Sequence, residues 1–77
     1  MTTTKQQLPK WFDGQVYSEG DTVSNPFTGD SIELTAEELS MFDLIMGAQM
    51  LNQWEIMQKG LSWFRRENAE AYMILLD

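Results

Sequence analysis

TAEELSMFDLIMGAQMLNQWEIMQKG, residues 35–60, is the stretch on which the fold turns. It opens with a capping box: the Thr35 hydroxyl can accept from the amide of residue 38, while the Glu38 carboxylate reaches back to the amide of residue 35. Glu37 and Glu38 also suit the positive end of a helix dipole. The spacing predicts a helix over 36–59, with Gly60 as its C-terminal stop and Lys59 near its negative end. Gly47, in the middle, costs about 1 kcal/mol relative to Ala. Together with Ala48 it would let another backbone approach closely.

This helix carries two apolar faces. Leu39, Phe42, Met46, Met50, Trp54 and Met57 follow i, i+3/i+4 spacing down one side, and Met41, Leu44, Ile45, Ala48 and Leu51 occupy much of the other. A surface helix usually shows one apolar stripe, whereas a helix apolar all round is buried. A small sheet covers one face. The second is left for the C-terminal segment, another subunit or a foreign protein. Met41, Leu44, Ile45, Gly47, Ala48 and Leu51 are therefore the expected partner-binding face. The methionines fit either use, as core filler or as an adaptable binding surface.

Upstream, Asp13-Gly14, Glu19-Gly20 and Asn25-Pro26-Phe27-Thr28-Gly29 are turn signals at short spacing. Between them Gln15–Ser18, Asp21–Ser24 and Asp30–Leu34 are expected as short strands. Ile32 and Leu34 share one face of the last, Ser31 and Glu33 the other. Pro26 presets φ at the corner and Gly29 can take the left-handed conformation. Downstream, Leu61, Trp63 and Phe64 begin a further short helix carrying Arg65 and Arg66. Asn68 is a cap for a last segment, 69–77, expected as helix with strand as the alternative. Residues 1–10 are expected as a mobile arm and 11–77 as one small α+β domain. Its fold is a short antiparallel meander or hairpin packed on a long central helix, followed by short C-terminal helices.

Composition narrows the function. A chain of 77 residues buries only about 60% of the surface its unfolded form exposes, so small domains lean on disulfides, metals or partners. With no cysteine and no histidine but 43% hydrophobic residues, docking on another protein or on itself is the expected support. The net charge is −7, and no basic residue lies between Lys10 and Lys59. Nucleic-acid binding needs Lys or Arg to replace phosphate counterions, and Lys59, Arg65 and Arg66 form too small a patch, so direct nucleic-acid binding is not expected. No apolar run approaches the ~20 residues that span a bilayer, and the N-terminus lacks the apolar stretch of a signal peptide. A soluble, cytoplasmic protein is expected.

Catalysis is not expected, for want of imidazole, thiol or any phosphate-binding or nucleophile motif. Nor is a cofactor or a metal: Asp13-Gly14 and Glu19-Gly20-Asp21 have the residue types of a calcium loop without its spacing. Leu8, Trp11 and Phe12 resemble the peptides that dock on DNA sliding clamps, which seat one aliphatic and two aromatic side chains in a pocket. Those peptides begin with Gln where this register gives Lys5.

The phrases Lys10-Trp11-Phe12-Asp13-Gly14, Asn25-Pro26-Phe27-Thr28-Gly29, Leu34-Thr35-Ala36-Glu37-Glu38-Leu39-Ser40 and Trp63-Phe64-Arg65-Arg66 resemble those of small acidic proteins of tailed marine cyanophages. The resemblance implies a virus-encoded protein in a host-cell cytoplasm, with host factors or phage replication and transcription machinery as partners. It implies no activity and no site residue. The expected function is thus a non-enzymatic, regulatory protein–protein interaction. A self-associating assembly component and an acidic DNA-mimic inhibitor are the alternatives.

Overall fold

The computed structural model describes residues 6–76. Among them the chain forms β1 (Asp21–Ser24), β2 (Ser31–Leu34), α1 (Ala36–Met50), α2 (Trp54–Glu67) and α3 (Ala69–Leu75), a small α+β fold. The strands pair antiparallel, with Asp21 opposite Leu34 and Ser24 opposite Ser31. Leu34 is buried, Ile32 half-buried, and Ser31 and Glu33 exposed, as the alternation predicts. The expected third strand is absent among the described residues. The Tyr17 amide instead donates to the buried Ser40 hydroxyl (2.9 Å), which itself donates to the Ala36 carbonyl (2.8 Å). A side chain of α1 has taken the bond a neighbouring strand would have made.

The capping box forms as read. Thr35 Oγ1 accepts from the Glu38 amide and Glu38 Oε1 from the Thr35 amide, both at 3.1 Å. Glu38 is buried, and its carboxylate also accepts from Gln6 Nε2 (2.7 Å) and Asn68 Nδ2 (3.1 Å). One acid thereby joins the N-terminal segment, the start of α1 and the α2–α3 corner. Gln7 adds a second tie, its carbonyl accepting from Trp63 Nε1 at 3.2 Å. Of the expected arm, residues 1–5 lie outside the described ones, while Gln6, Gln7 and the half-buried Leu8 are held against the domain.

The long helix is broken. α1 ends in a Schellman motif: the Gln53 amide donates to the Ala48 carbonyl (2.8 Å) and the Asn52 amide to the Gln49 carbonyl (3.3 Å). Asn52 has φ 59°, the left-handed conformation that Gly, and sometimes Asn, supplies after a helix. The chain then folds back as α2, against the expectation of one helix over 36–59. Gly60 is no stop. It is buried inside α2, where an added Cβ would lie 2.7 Å from Ile45 Cγ1. Gly47, expected as the close-approach glycine, has nothing within 4 Å of that position. The two glycines have exchanged roles. Trp63 and Phe64 accordingly belong to α2 itself, not to a further helix.

The core follows from this seam. Leu34, Met41, Ile45, Trp63, Phe64 and Ala71 form one buried cluster between the hairpin and the three described helices. Asn68 closes α2 and opens α3, its amide donating to the Phe64 carbonyl (2.8 Å) and its Oδ1 accepting from the Ala71 amide (3.1 Å). The last segment is helix rather than strand. No helix among the described residues is long and apolar enough to cross a membrane.

Candidate functional site

The expected partner face is mostly interior. Met41, Ile45 and Ala48 are buried, and they pack where α2 covers α1. Leu44 is half-buried beside Gly14 and Phe12: a Cβ on Gly14 would touch both, at 3.2 and 3.1 Å. Of the six residues, Leu51 alone is exposed, at 70%. The face assigned to a partner is thus covered by the chain itself. The clamp-like set is partly covered. Leu8, Trp11 and Phe12 are half-buried against the core, and the Phe12 amide donates to the Pro9 carbonyl (3.0 Å), making a turn.

The incompletely covered side of α1 is the one assigned to the core. Phe42 and Met46 are half-buried, one turn apart on the same face. They form the wall of a groove of about 380 Å³ whose other sides are Pro26 and Phe27 of the hairpin tip and Leu75 and Leu76 at the end of α3. Met50 continues this strip of α1 by one more turn and is 83% exposed. With Leu51 and Trp54, 53% exposed, it makes the α1–α2 turn an apolar corner.

The hairpin tip is set by Asn25. Its Oδ1 accepts from the amides of Phe27 (2.8 Å) and Thr28 (3.4 Å). Its backbone carbonyl accepts from the Gly29 amide (2.8 Å), and its own amide donates to the Asp30 carbonyl (2.7 Å). Gly29 takes φ 82° there, the left-handed conformation its residue type allows. Asn25 Nδ2 also donates to the Ile74 carbonyl (2.8 Å), tying the tip to α3. These bonds fix the backbone on both sides of the groove. Phe27 nonetheless stands 95% exposed at its edge.

Charge around the groove has one sign. The hairpin strands, their turn, α1 and α3 carry Asp21, Asp30, Glu33, Asp43 and Glu70 on the surface and no Lys or Arg. The lining supplies dispersion and burial, with Ser24 and the amides of Asn25 and Gln49 as its polar residues. It is suited to holding an apolar side chain, not to proton transfer. Sequence reasoning treated Phe27 only as part of a turn. The available signal was an aromatic between Pro26 and Gly29, where a tight turn leaves little backbone to cover it.

The fold and groove define a small α+β domain with an uncharged, largely apolar cleft between elements whose surface charges are acidic. No protein-family model matches the chain, and no curated protein or solved structure is similar to it.

Proposed function

We propose that this chain is a non-enzymatic protein-binding protein, and that its groove between the hairpin tip, α1 and α3 grips an apolar anchor carried by a basic partner. The observation that carries the reading is Phe27: a large aromatic side chain 95% exposed on a turn held by the hydrogen bonds of Asn25. Leaving such a side chain in water forgoes roughly 1.5–3 kcal/mol of burial. Lone exposed apolar residues are ordinary. One on a tied turn beside an apolar groove is a preformed contact, since little ordering entropy remains to be lost on binding.

The sign of the partner follows from charge. Every element bordering the groove is acidic, so a cationic rim is attracted to it and a second acidic copy is repelled. This favours a foreign partner over self-assembly. The resemblance to cyanophage proteins is compatible with such a partner in an infected cell.

The test uses the full chain with ¹³C-methyl methionine. It is titrated with a helical Lys/Leu amphipathic peptide and with a Glu/Leu peptide of the same apolar pattern. The basic peptide is expected to shift the Met46 and Met50 methyl signals, and Phe27→Ser to weaken its binding at least ten-fold. Equal shifts from both peptides, or none from either, would overturn the reading. Sedimentation of the protein alone as a dimer that buries Phe27 would give the groove to a second copy instead.

A further inference from the structure

The cations of this acidic chain are not scattered. Lys59, Ser62 and Arg66 are spaced by three and four residues, one face of α2. This is the face turned away from α1, because Gly60 points at Ile45 and Met41. The N-terminal segment lies across it, fixed by the Gln7 carbonyl on Trp63 Nε1. Between them runs an open groove of about 360 Å³ lined by Pro9, Trp11, Lys59, Ser62, Trp63 and Arg66. The Lys59 ammonium sits 5.8 Å from the centre of the Trp11 ring, a cation–π distance. A second concavity, sharing Pro9, Trp63 and Arg66 with the first, brings in Lys10. Three of the five basic residues in the chain therefore surround one aromatic and proline surface.

The one ion pair found among the described residues leaves that charge available. Arg66 Nε lies 3.9 Å from Glu67 Oε2, with the Arg66 side chain 67% exposed, an ion pair of the weak surface kind. We infer that this groove binds a short, extended, acidic peptide segment of another protein, its carboxylates on Lys59 and Arg66 and an apolar side chain between them on Pro9 and Trp11. The spacing sets the register. The two cations are seven positions apart, roughly 10 Å of helical rise, which an extended polyproline-II chain covers in about three residues, one full turn that brings the side chain back to the same face. The segment therefore carries acidic residues at i and i+3. A nucleic acid fits less well, because its phosphates need many cations and the field of a −7 chain opposes a polyanion.

The experiment titrates the full chain with a blocked peptide containing Glu-Leu-Ala-Glu, following the Trp indole N–H signals by NMR. The expected result is a shift at Trp11 and Trp63 without one at Trp54, and binding that weakens at least ten-fold when both glutamates become glutamine. Arg66→Gln and Lys59→Gln, both at exposed positions, are each expected to weaken it several-fold, with Arg66→Lys retaining most of it. The inference is overturned if the glutamine peptide binds as well, if the charge variants bind unchanged, or if no shift appears at millimolar peptide. A single-stranded oligonucleotide that shifts the same signals at lower concentration would overturn it in favour of nucleic acid.

Discussion

The two sides of α1 are built from the same kinds of residue and have opposite fates. Met41, Ile45 and Ala48 lie on one side, against α2, and all three are buried. Phe42, Met46 and Met50 lie on the other, where the hairpin tip and the end of α3 approach without closing; the first two are half-buried and Met50 is exposed. What separates them is not hydrophobicity but the neighbour. α2 presents Gly60 to Ile45, so the Ile45 side chain packs directly on the α2 backbone with no opposing side chain in its way. The hairpin presents a turn whose hydrogen bonds hold it in place beside α1. The first arrangement makes a core and the second makes a groove.

The largest way to break this contrast is to empty the sealed side. Phe64 is fully buried, and Phe64→Ala is expected to cost about 3–5 kcal/mol in urea denaturation. For a domain whose whole stability is on the order of 5–15 kcal/mol, that leaves little or nothing folded. A loss under about 1 kcal/mol would mean that the seam is not the core. The next effect tests the seam's closeness. In Gly60→Ala the new methyl meets Ile45 at 2.7 Å, and Ile45 is too enclosed to move aside. Overpacking of roughly 1–3 kcal/mol against a helix-propensity gain of about 1 kcal/mol gives a net loss near 1 kcal/mol, read from the same denaturation midpoint.

Much of the fold was legible locally, because its signals are local. Thr35 and Glu38 cap α1 through atoms three residues apart, Gly29 needs only its own φ, and Asn68 caps α3 across three residues. The break at Leu51–Gln53 was not legible. The i, i+3/i+4 spacing of Met50, Trp54 and Met57 runs straight through it, and Asn52 is a rarer left-handed cap than Gly. Gly60 after Lys59 looks like a helix end until Ile45, fifteen positions earlier, is placed against it. The site suffered most. Which face of α1 is sealed depends on where α2 folds back, so misplacing one turn exchanged the core face with the open one. The groove itself rests on Asn25 reaching Ile74, a contact across forty-nine positions that no local pattern encodes.

Gly47 supplies the counterpart to Gly60, with the sign reversed. A Cβ there meets nothing within 4 Å, and the residue is in mid-helix. Gly47→Ala is expected to raise stability by about 0.5–1 kcal/mol, through the unfolded chain's lost freedom. A destabilising result would mean that something does approach that backbone.

The smallest expected effect on stability is the one that bears most on function. Phe27 contributes little to the fold, because at 95% exposure its ring has almost no partner in the domain. The turn that carries it is held by Asn25 and Gly29, whose bonds use the Phe27 amide but not its side chain. Phe27→Ser is therefore expected to shift stability by no more than about 0.5 kcal/mol, while removing the aromatic contact proposed to hold a basic partner. Core residues behave in the opposite way, losing stability first and binding only as a consequence. If Phe27→Ser instead lowers the denaturation midpoint as a core substitution would, the ring is packed in solution, and the open side of α1 is closed by the chain itself.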